Sequence, residues 1–184
     1  MRDNPMTDEE LLKRCLLGDV EEYHKIVEKY RTKALAIAMN ILANREDAED
    51  ACQDAFIQVY RNLGKFDFTK SFANWFYAIL YKRCLDRIRK RKRFSRFYRK
   101  VTAEPSQSFS IPPANPTFSP LSRKELSGIL NPRERISMVL WAIDGYTSTE
   151  IGDVLKCSPS TARVHLFKAR KKIKSFLEKK NVPI

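Results

Sequence analysis

LNPRERISMVLWAIDGYTSTEIGDVLKCSPSTARVHLFKARKKIKSF, residues 130–176, decides the fold, because its stop and start signals cut it into three helices. Asn131 before Pro132 reads as an N-cap followed by the first helical residue. Gly145 stands where a helix end needs positive φ, so the spacing predicts a helix over 132–144. Thr147, with Glu150 three residues on, forms a capping box for a short second helix whose buried face is Ile151, Val154 and Leu155. Lys156-Cys157 is left as the turn. Ser158-Pro159 opens a last helix in which Ala162, Leu166, Ala169, Ile173 and Leu177 recur at three- and four-residue steps as one apolar stripe. Its other face carries Ser160, Thr161, Arg163, Val164, Phe167, Lys168 and Lys171. A solvated surface helix can look like that. Two capped helices on a tight turn favour a helix-turn-helix, its last helix offering an N-terminus to phosphates and side chains to base edges of DNA.

Outward from this stretch the charge is uneven. The 184 residues carry a net charge of +13, which calls for a polyanionic partner, yet residues 1–64 are net −4 and residues 65–184 net +17. Upstream, Val101 to Ser122 is rich in Pro, Ser, Thr and Asn without helical period, which predicts an extended linker over 101–122 between a domain at 1–100 and one at 123–184. In the first domain, Thr7 and Glu10 cap a helix to Leu17 that Gly18 ends, and Asp19 starts a longer helix to Ile41. Asn44 caps a third, over 45–63 and closed by Gly64. Ala48, Ala51, Cys52, Ala55, Phe56, Val59 and Leu63 form its buried stripe, and Asp47, Glu49, Asp50, Gln53, Asp54 and Gln58 crowd its outer side.

A loop, Lys65 to Ser71, leads into a long helix from about Phe72 with Trp75, Phe76, Tyr77, Ile79, Leu80, Tyr81, Leu85 and Ile88, more aromatic area than one helix face buries. The basic run Arg87 to Lys100 follows. Either this is an aromatic core with a solvated basic end, or exposed rings interleaved with cations bind single-stranded nucleic acid.

Other classes are excluded. Cys15, Cys52, Cys84 and Cys157 lie far apart, with only His24 and His165 to join them, which suggests neither a zinc site nor a disulfide frame. There is no Gly-rich phosphate loop and no nucleophile paired with a base, so no enzyme and no cofactor is expected. No membrane span or signal peptide is evident, and a cytoplasmic protein is expected, with no domain appended after Leu177.

The run Asp47-Ala-Glu-Asp-Ala-Cys-Gln-Asp-Ala-Phe56, then Tyr60-Arg-Asn-Leu63, Phe66-Asp67, Phe72, Trp75 and Tyr77, resembles region 2 of bacterial sigma factors. Leu130-Asn-Pro-Arg-Glu-Arg135, Gly145, Glu150-Ile151-Gly152 and Thr161 to Arg170 resemble region 4 of the same proteins, in the small extracytoplasmic-function group. The order and spacing of both stretches match.

The resemblance implies an all-α chain of two small helical domains that binds core RNA polymerase and directs promoter recognition, DNA opening and transcription initiation. Glu49, Asp50, Gln53 and Asp54 would dock on the clamp coiled coil of the largest polymerase subunit, while the flap of the second-largest subunit is the family's partner for region 4. Charge complementarity accounts for an acidic patch in a basic chain. Lys65, Phe66, Phe68, Phe72, Trp75, Tyr77, Lys82, Arg83, Arg87 and Arg89 would line or flank the site of a base flipped from the minus-ten element. Lys82 stands where relatives often carry Asn, so the base choice does not carry over. Ser160, Thr161, Arg163, Val164, Phe167, Lys168 and Lys171 would read the minus-thirty-five element, Arg163 spanning two acceptors of guanine. Val164 and His165 depart from the small polar and basic residues of relatives. The linker, with Phe109, Ile111 and Phe118 as anchors, would thread the polymerase, and an anti-sigma protein would hold the chain inactive. A stand-alone helix-turn-helix regulator on duplex DNA is the second reading; it gives no role to the acidic patch or the aromatic loop.

Overall fold

The computed structural model describes residues 6–102 and 122–180, and among these there are helices and turns but no strand. Eight α-helices follow in order: α1 Asp8–Leu16, α2 Val20–Leu42, α3 Arg45–Arg61, α4 Phe72–Thr102, α5 Arg123–Ile129, α6 Pro132–Asp144, α7 Ser148–Leu155 and α8 Pro159–Lys179. Apart from Val101, Thr102 and Ser122, the linker expected over 101–122 lies outside the described residues, with Phe109, Ile111 and Phe118.

The capping chemistry places most of the boundaries. Full capping boxes close the N-termini of α1 (Thr7, Glu10), α5 (Ser122, Glu125), α6 (Asn131, Glu134) and α7 (Thr147, Glu150), each acid accepting from the cap backbone while the cap accepts from the acid's N–H. Gly145 ends α6 at φ 64°, as its place in the sequence requires. At the other turn of the motif Lys156, a residue with a Cβ, takes the left-handed conformation at φ 53°. Two expectations shift. The third helix stops at Arg61 rather than at 63, because Asn62, Leu63 and Lys65 tighten into a 3-10 turn that contains Gly64, whose φ is not positive. The short helix α5, which the apolar periodicity does not mark, begins directly after the stretch expected as linker, inside the second domain.

The first half is a bundle of α1 to α4. Tyr30 donates to Asp8 Oδ2 at 2.6 Å while Lys29 reaches the other oxygen at 2.6 Å, which ties α1 to α2. Tyr23 donates to the Phe56 carbonyl at 2.6 Å and links α2 to α3. In the second half α6, α7 and α8 enclose Ile136, Leu140, Ile151, Val154, Leu155, Ala162 and Leu166. The halves are packed together: α4 lies against α7, and α2 against α5 and α6. One apolar cluster runs through both, the Tyr77 and Tyr146 rings meet edge-on at 6.3 Å across the seam, and Arg123 donates to Asn40 Oδ1 at 3.2 Å.

Gly152 sets the helix-turn-helix angle. A Cβ built there would meet the Cys157 carbonyl oxygen at 2.7 Å, and that oxygen belongs to the backbone of the turn. Replacing Gly152 by Val is expected to cost about 1–3 kcal/mol through forced displacement of the turn. Urea denaturation checks this: an unchanged midpoint would mean that the turn yields freely.

Candidate polymerase and nucleic-acid interfaces

Three surfaces carry the expected site residues. On α3, Glu49, Asp50, Gln53 and Asp54 are all exposed, so the structure brings the four together on one outer face. The same face presents two apolar side chains that hydropathy did not single out, Ile57 at 43% and Tyr60 at 45% exposure. At 100° per residue both fall within the arc from Glu49 to Asp54. An acidic rim around exposed isoleucine and tyrosine is the make-up of a protein-docking patch.

The acids of this face already have partners. Arg83 donates to Gln58 Oε1 at 2.8 Å, Arg87 spans Asp50 Oδ2 at 2.7 Å and Asp54 Oδ2 at 2.9 Å, and Arg91 stands 3.3 Å from Asp47. Arg83 and Arg87, expected on the DNA side, are therefore turned back on α3. They stand one turn apart on the side of α4 that meets the acidic row. Asp50 and Asp54 keep about half of their side-chain surface open, which leaves them free to meet a second cation.

The aromatic loop also differs from expectation. Phe66, Phe72 and Tyr77 are buried and do not line an open channel. Phe56 stacks on Phe76 at 4.8 Å, Phe66 lies 4.9 Å from Trp75, and Tyr30 contacts the rings of Phe72, Phe76 and Tyr77. Helix α4 has neighbours on several sides, α2, α3 and α7, so more of its rings find cover than a helix on a surface could bury. Lys65, Lys82 and Arg89 remain exposed, and Phe68 and Trp75 are half-buried at the loop. The exposed rings among cations lie further on: Phe94 is 68% and Phe97 65% exposed. On the same stretch of α4, Asp86, Arg89, Lys92, Arg93 and Arg96 line a groove of about 480 Å³. The alternation Arg93-Phe94-Ser95-Arg96-Phe97 was the signal in the sequence.

On α8 all seven expected residues, Ser160, Thr161, Arg163, Val164, Phe167, Lys168 and Lys171, are exposed, opposite the buried Ala162, Leu166 and Ala169. His165 is not on that face. It turns toward α6, where burial and then Arg133 push its imidazole below its ordinary range, so it stays neutral. Beneath the helix Glu134, buried, caps α6 with Asn131 and accepts from Lys172 of α8 at 2.7 Å. Burial alone would raise its carboxyl; Lys172 and the Asn131 N–H outweigh that and hold it low. The Arg170 guanidinium lies 4.1 Å over the Trp141 ring, a further tie between α8 and α6.

The remaining polar groups fit no chemistry of their own. Cys15, Cys52 and Cys84 are buried; burial pushes the Cys52 thiol up to about 12 and raises Cys15 and Cys84 too, which keeps them protonated and unreactive. Among the described residues no three His, Cys, Asp or Glu side chains gather as a metal site, and no helix is long and apolar enough to cross a membrane.

Residues 26–94 match the family description Sigma-70 region 2, and residues 125–173 match Sigma-70, region 4. The chain is 26% identical over 178 residues to the ECF RNA polymerase sigma factor SigW of Bacillus subtilis, covering 90% of this chain and 94% of that one. It is 26% identical over 182 residues to the RNA polymerase sigma-H factor of Pseudomonas aeruginosa, covering 93% and 94%. Its fold is similar to that of CnrH, solved with the cytosolic domain of CnrY, at a TM-score of 0.69, 20% identity and coverage of 94% and 97%. It is also similar to the sigma factor RpoE of Bartonella quintana, solved with the anti-sigma factor NepR, at a TM-score of 0.70, 19% identity and coverage of 86% and 98%.

The Glu134 linkage predicts acid sensitivity. A carboxyl held below its unfolded value of about 4.3 contributes stability that is present above that pH and lost as pH falls through the folded value. Neutral His165 acts in the same direction, since the unfolded state takes up its proton more readily. The Glu134→Gln chain is expected to be about 1–2 kcal/mol less stable at neutral pH and to lose less between pH 5 and 3 than the native chain. Urea midpoints across that range check it; parallel curves for the two chains would remove Glu134 from the acid response.

Proposed function

The chain belongs to the extracytoplasmic-function group of sigma factors and directs transcription initiation, and on that premise we propose how its surfaces divide the work. The observation that carries the division is the outer face of α3, where Glu49, Asp50, Gln53 and Asp54 stand exposed around Ile57 and Tyr60. This face docks on the basic clamp coiled coil of the largest polymerase subunit: the acids steer the encounter and the two apolar side chains supply the desolvated centre. Region 4 meets the flap of the second-largest subunit.

In this division the loop at Lys65 to Ser71, with Phe68 and Trp75 at its surface and Lys82 and Arg89 beside it, takes the flipped base of the minus-ten element from the non-template strand. The buried Phe66, Phe72 and Tyr77 hold the loop in shape. Recovering the few kcal/mol that flipping costs falls to stacking on the exposed edges of the loop. The cationic groove of Arg89, Lys92, Arg93 and Arg96, with Phe94 and Phe97, tracks the neighbouring backbone. Helix α8 enters the major groove of the minus-thirty-five element with Arg163 on a guanine edge. The chain does no catalysis in this reading, which belongs to the polymerase, and it acts in the cytoplasm. An anti-sigma protein holds it inactive, a reading supported by the anti-sigma factor named in the solved complex of one structural neighbour. No observation favours a stand-alone regulator.

The packed halves set a geometric condition. Promoter elements about 25 base pairs apart are separated by roughly 85 Å at 3.4 Å per pair. Helices α4 and α8 are linked through α7 by two helix contacts, about 20 Å axis to axis. The halves must therefore part on the promoter. Dyes on Glu28→Cys and Lys174→Cys, exposed positions outside the proposed docking and reading residues, are expected to transfer energy efficiently in the free chain and to lose that transfer when polymerase and promoter are added. Transfer that persists in an active complex would count against the division.

Docking is tested by run-off transcription with core polymerase on sheared host DNA, comparing the native chain with a Gln53→Arg, Ile57→Asp form. These changes leave the Arg87 bridge to Asp50 and Asp54 in place. Discrete starts with the native chain, falling at least tenfold in the variant, support the α3 surface. Equal activity would move the docking site elsewhere.

A further inference from the structure

The reading face of α8 is not uniformly polar. Val164 is 46% and Phe167 68% exposed, and both stand opposite the buried stripe of Ala162, Leu166 and Ala169. Three residues apart, they lie roughly 60° from one another around the helix axis. They therefore form one apolar ridge near the middle of the outward face rather than at its margin. Ser160 precedes them and Lys171 follows along the same line, while Arg163 and Lys168 flank them. From Pro159 to Leu177 there is no acid.

A ridge of this kind in the middle of a cationic face is costly in water and needs an apolar target inside a polyanionic partner. The major groove of duplex DNA has one such group, the C5-methyl of thymine; every other base edge there offers hydrogen-bond donors or acceptors. We infer that Val164 and Phe167 read thymine methyl groups in the upstream promoter element. Specificity at those positions then comes from burying methyls, and hydrogen bonding to bases is left to neighbours such as Arg163. The inference rests on the reading of α8 as the helix that enters the duplex, and it adds the chemistry that the helix selects. It also gives the departure at Val164 a consequence: in place of a small polar side chain that would hydrogen-bond, the chain presents a second apolar contact.

Uracil lacks only the methyl of thymine, so it isolates the contact. The native chain on core polymerase is first used to select an upstream element from duplexes randomised there. Each thymine of the selected element, on either strand, is then replaced by uracil and the complex measured by competition. One or two positions are expected to weaken roughly fourfold per methyl, about the worth of one buried methylene. Phe167→Ser and Val164→Ser are expected to erase the thymine-to-uracil difference at those positions while the salt dependence of binding, set by phosphate contacts, stays the same. If a discrete element is selected but uracil is tolerated at every position, the methyl reading is wrong although α8 still reads the duplex. If the variants instead lose core polymerase while the native chain ignores uracil, the ridge is a protein contact and the inference is overturned. If no element is selected at all, the premise about α8 fails first.

Discussion

The turning of α4 onto α3 is the constraint on which the rest depends. Arg83, Arg87 and Arg91 recur once per turn on one side of α4, and Gln58, Asp54, Asp50 and Asp47 recur in the opposite order along α3. Under this ladder Phe56 and Phe76 stack in the core. Exposed ion pairs are individually weak, but Arg87 keeps only 22% of its side-chain surface open and bridges two acids, so this network, with the buried Phe76, Leu80 and Cys84, holds the rotation of α4 about its axis. Once that rotation is fixed, it is also settled which side of α4 faces α7 and which cations, among them Lys82 and Arg89, remain outside. A sequence that is strongly basic beyond residue 64 thus spends some of its cations internally, and the acidic patch on α3 is partly neutralised before any partner arrives.

Helix ends were legible because capping is local. Asn131, Thr147 and Ser158 each hold the backbone N–H three residues on, and Gly145 takes positive φ, as three- and four-residue arithmetic expects. The outward side of α8 was legible for a related reason: a helix with a single buried stripe has one free face. Helix α4 has no single stripe. Tyr77 and Tyr81 are buried toward the second half and Phe76 and Leu80 within the first, and a hydrophobic period does not state how many neighbours a helix has. That is why Phe72 and Tyr77 read as a lining and are core; Phe66, in the loop before α4, is covered by Phe68, Phe72 and Trp75. Helix α5 escaped for the opposite reason: none of its residues is buried, so no apolar period announces it, and only the box of Ser122 and Glu125 marks its start.

The seam between the halves shows what holds them and what allows them to part. Its apolar contacts are continuous with both cores, yet it also encloses a polar atom without a partner, the Arg135 Nε. Arg135 is buried beside Cys84, and burial lowers its guanidinium from its usual value. That Nε has given up hydration without a hydrogen bond in return, at about 1–3 kcal/mol. Opening the seam exposes apolar area but restores that hydration. The two terms oppose one another, and a partner that binds the parted arrangement more tightly shifts the balance by its differential affinity.

The same division of labour governs α8. Its inner side is committed: Ala162, Leu166 and Ala169 pack, Lys172 answers Glu134, His165 faces Arg133, and Arg170 covers Trp141. The polar and cation–π contacts are made to α6, the helix also packs against α7 and α5, and none of the named ties uses Ser160, Val164, Phe167 or Lys171. The outward residues can therefore change without altering how the helix is held, whereas the angle at which it is held depends on Gly152 and the turn beneath it. A fold built this way keeps the pose of its reading helix constant while leaving the chemistry of the reading face, in this chain an apolar ridge between cations, free to differ.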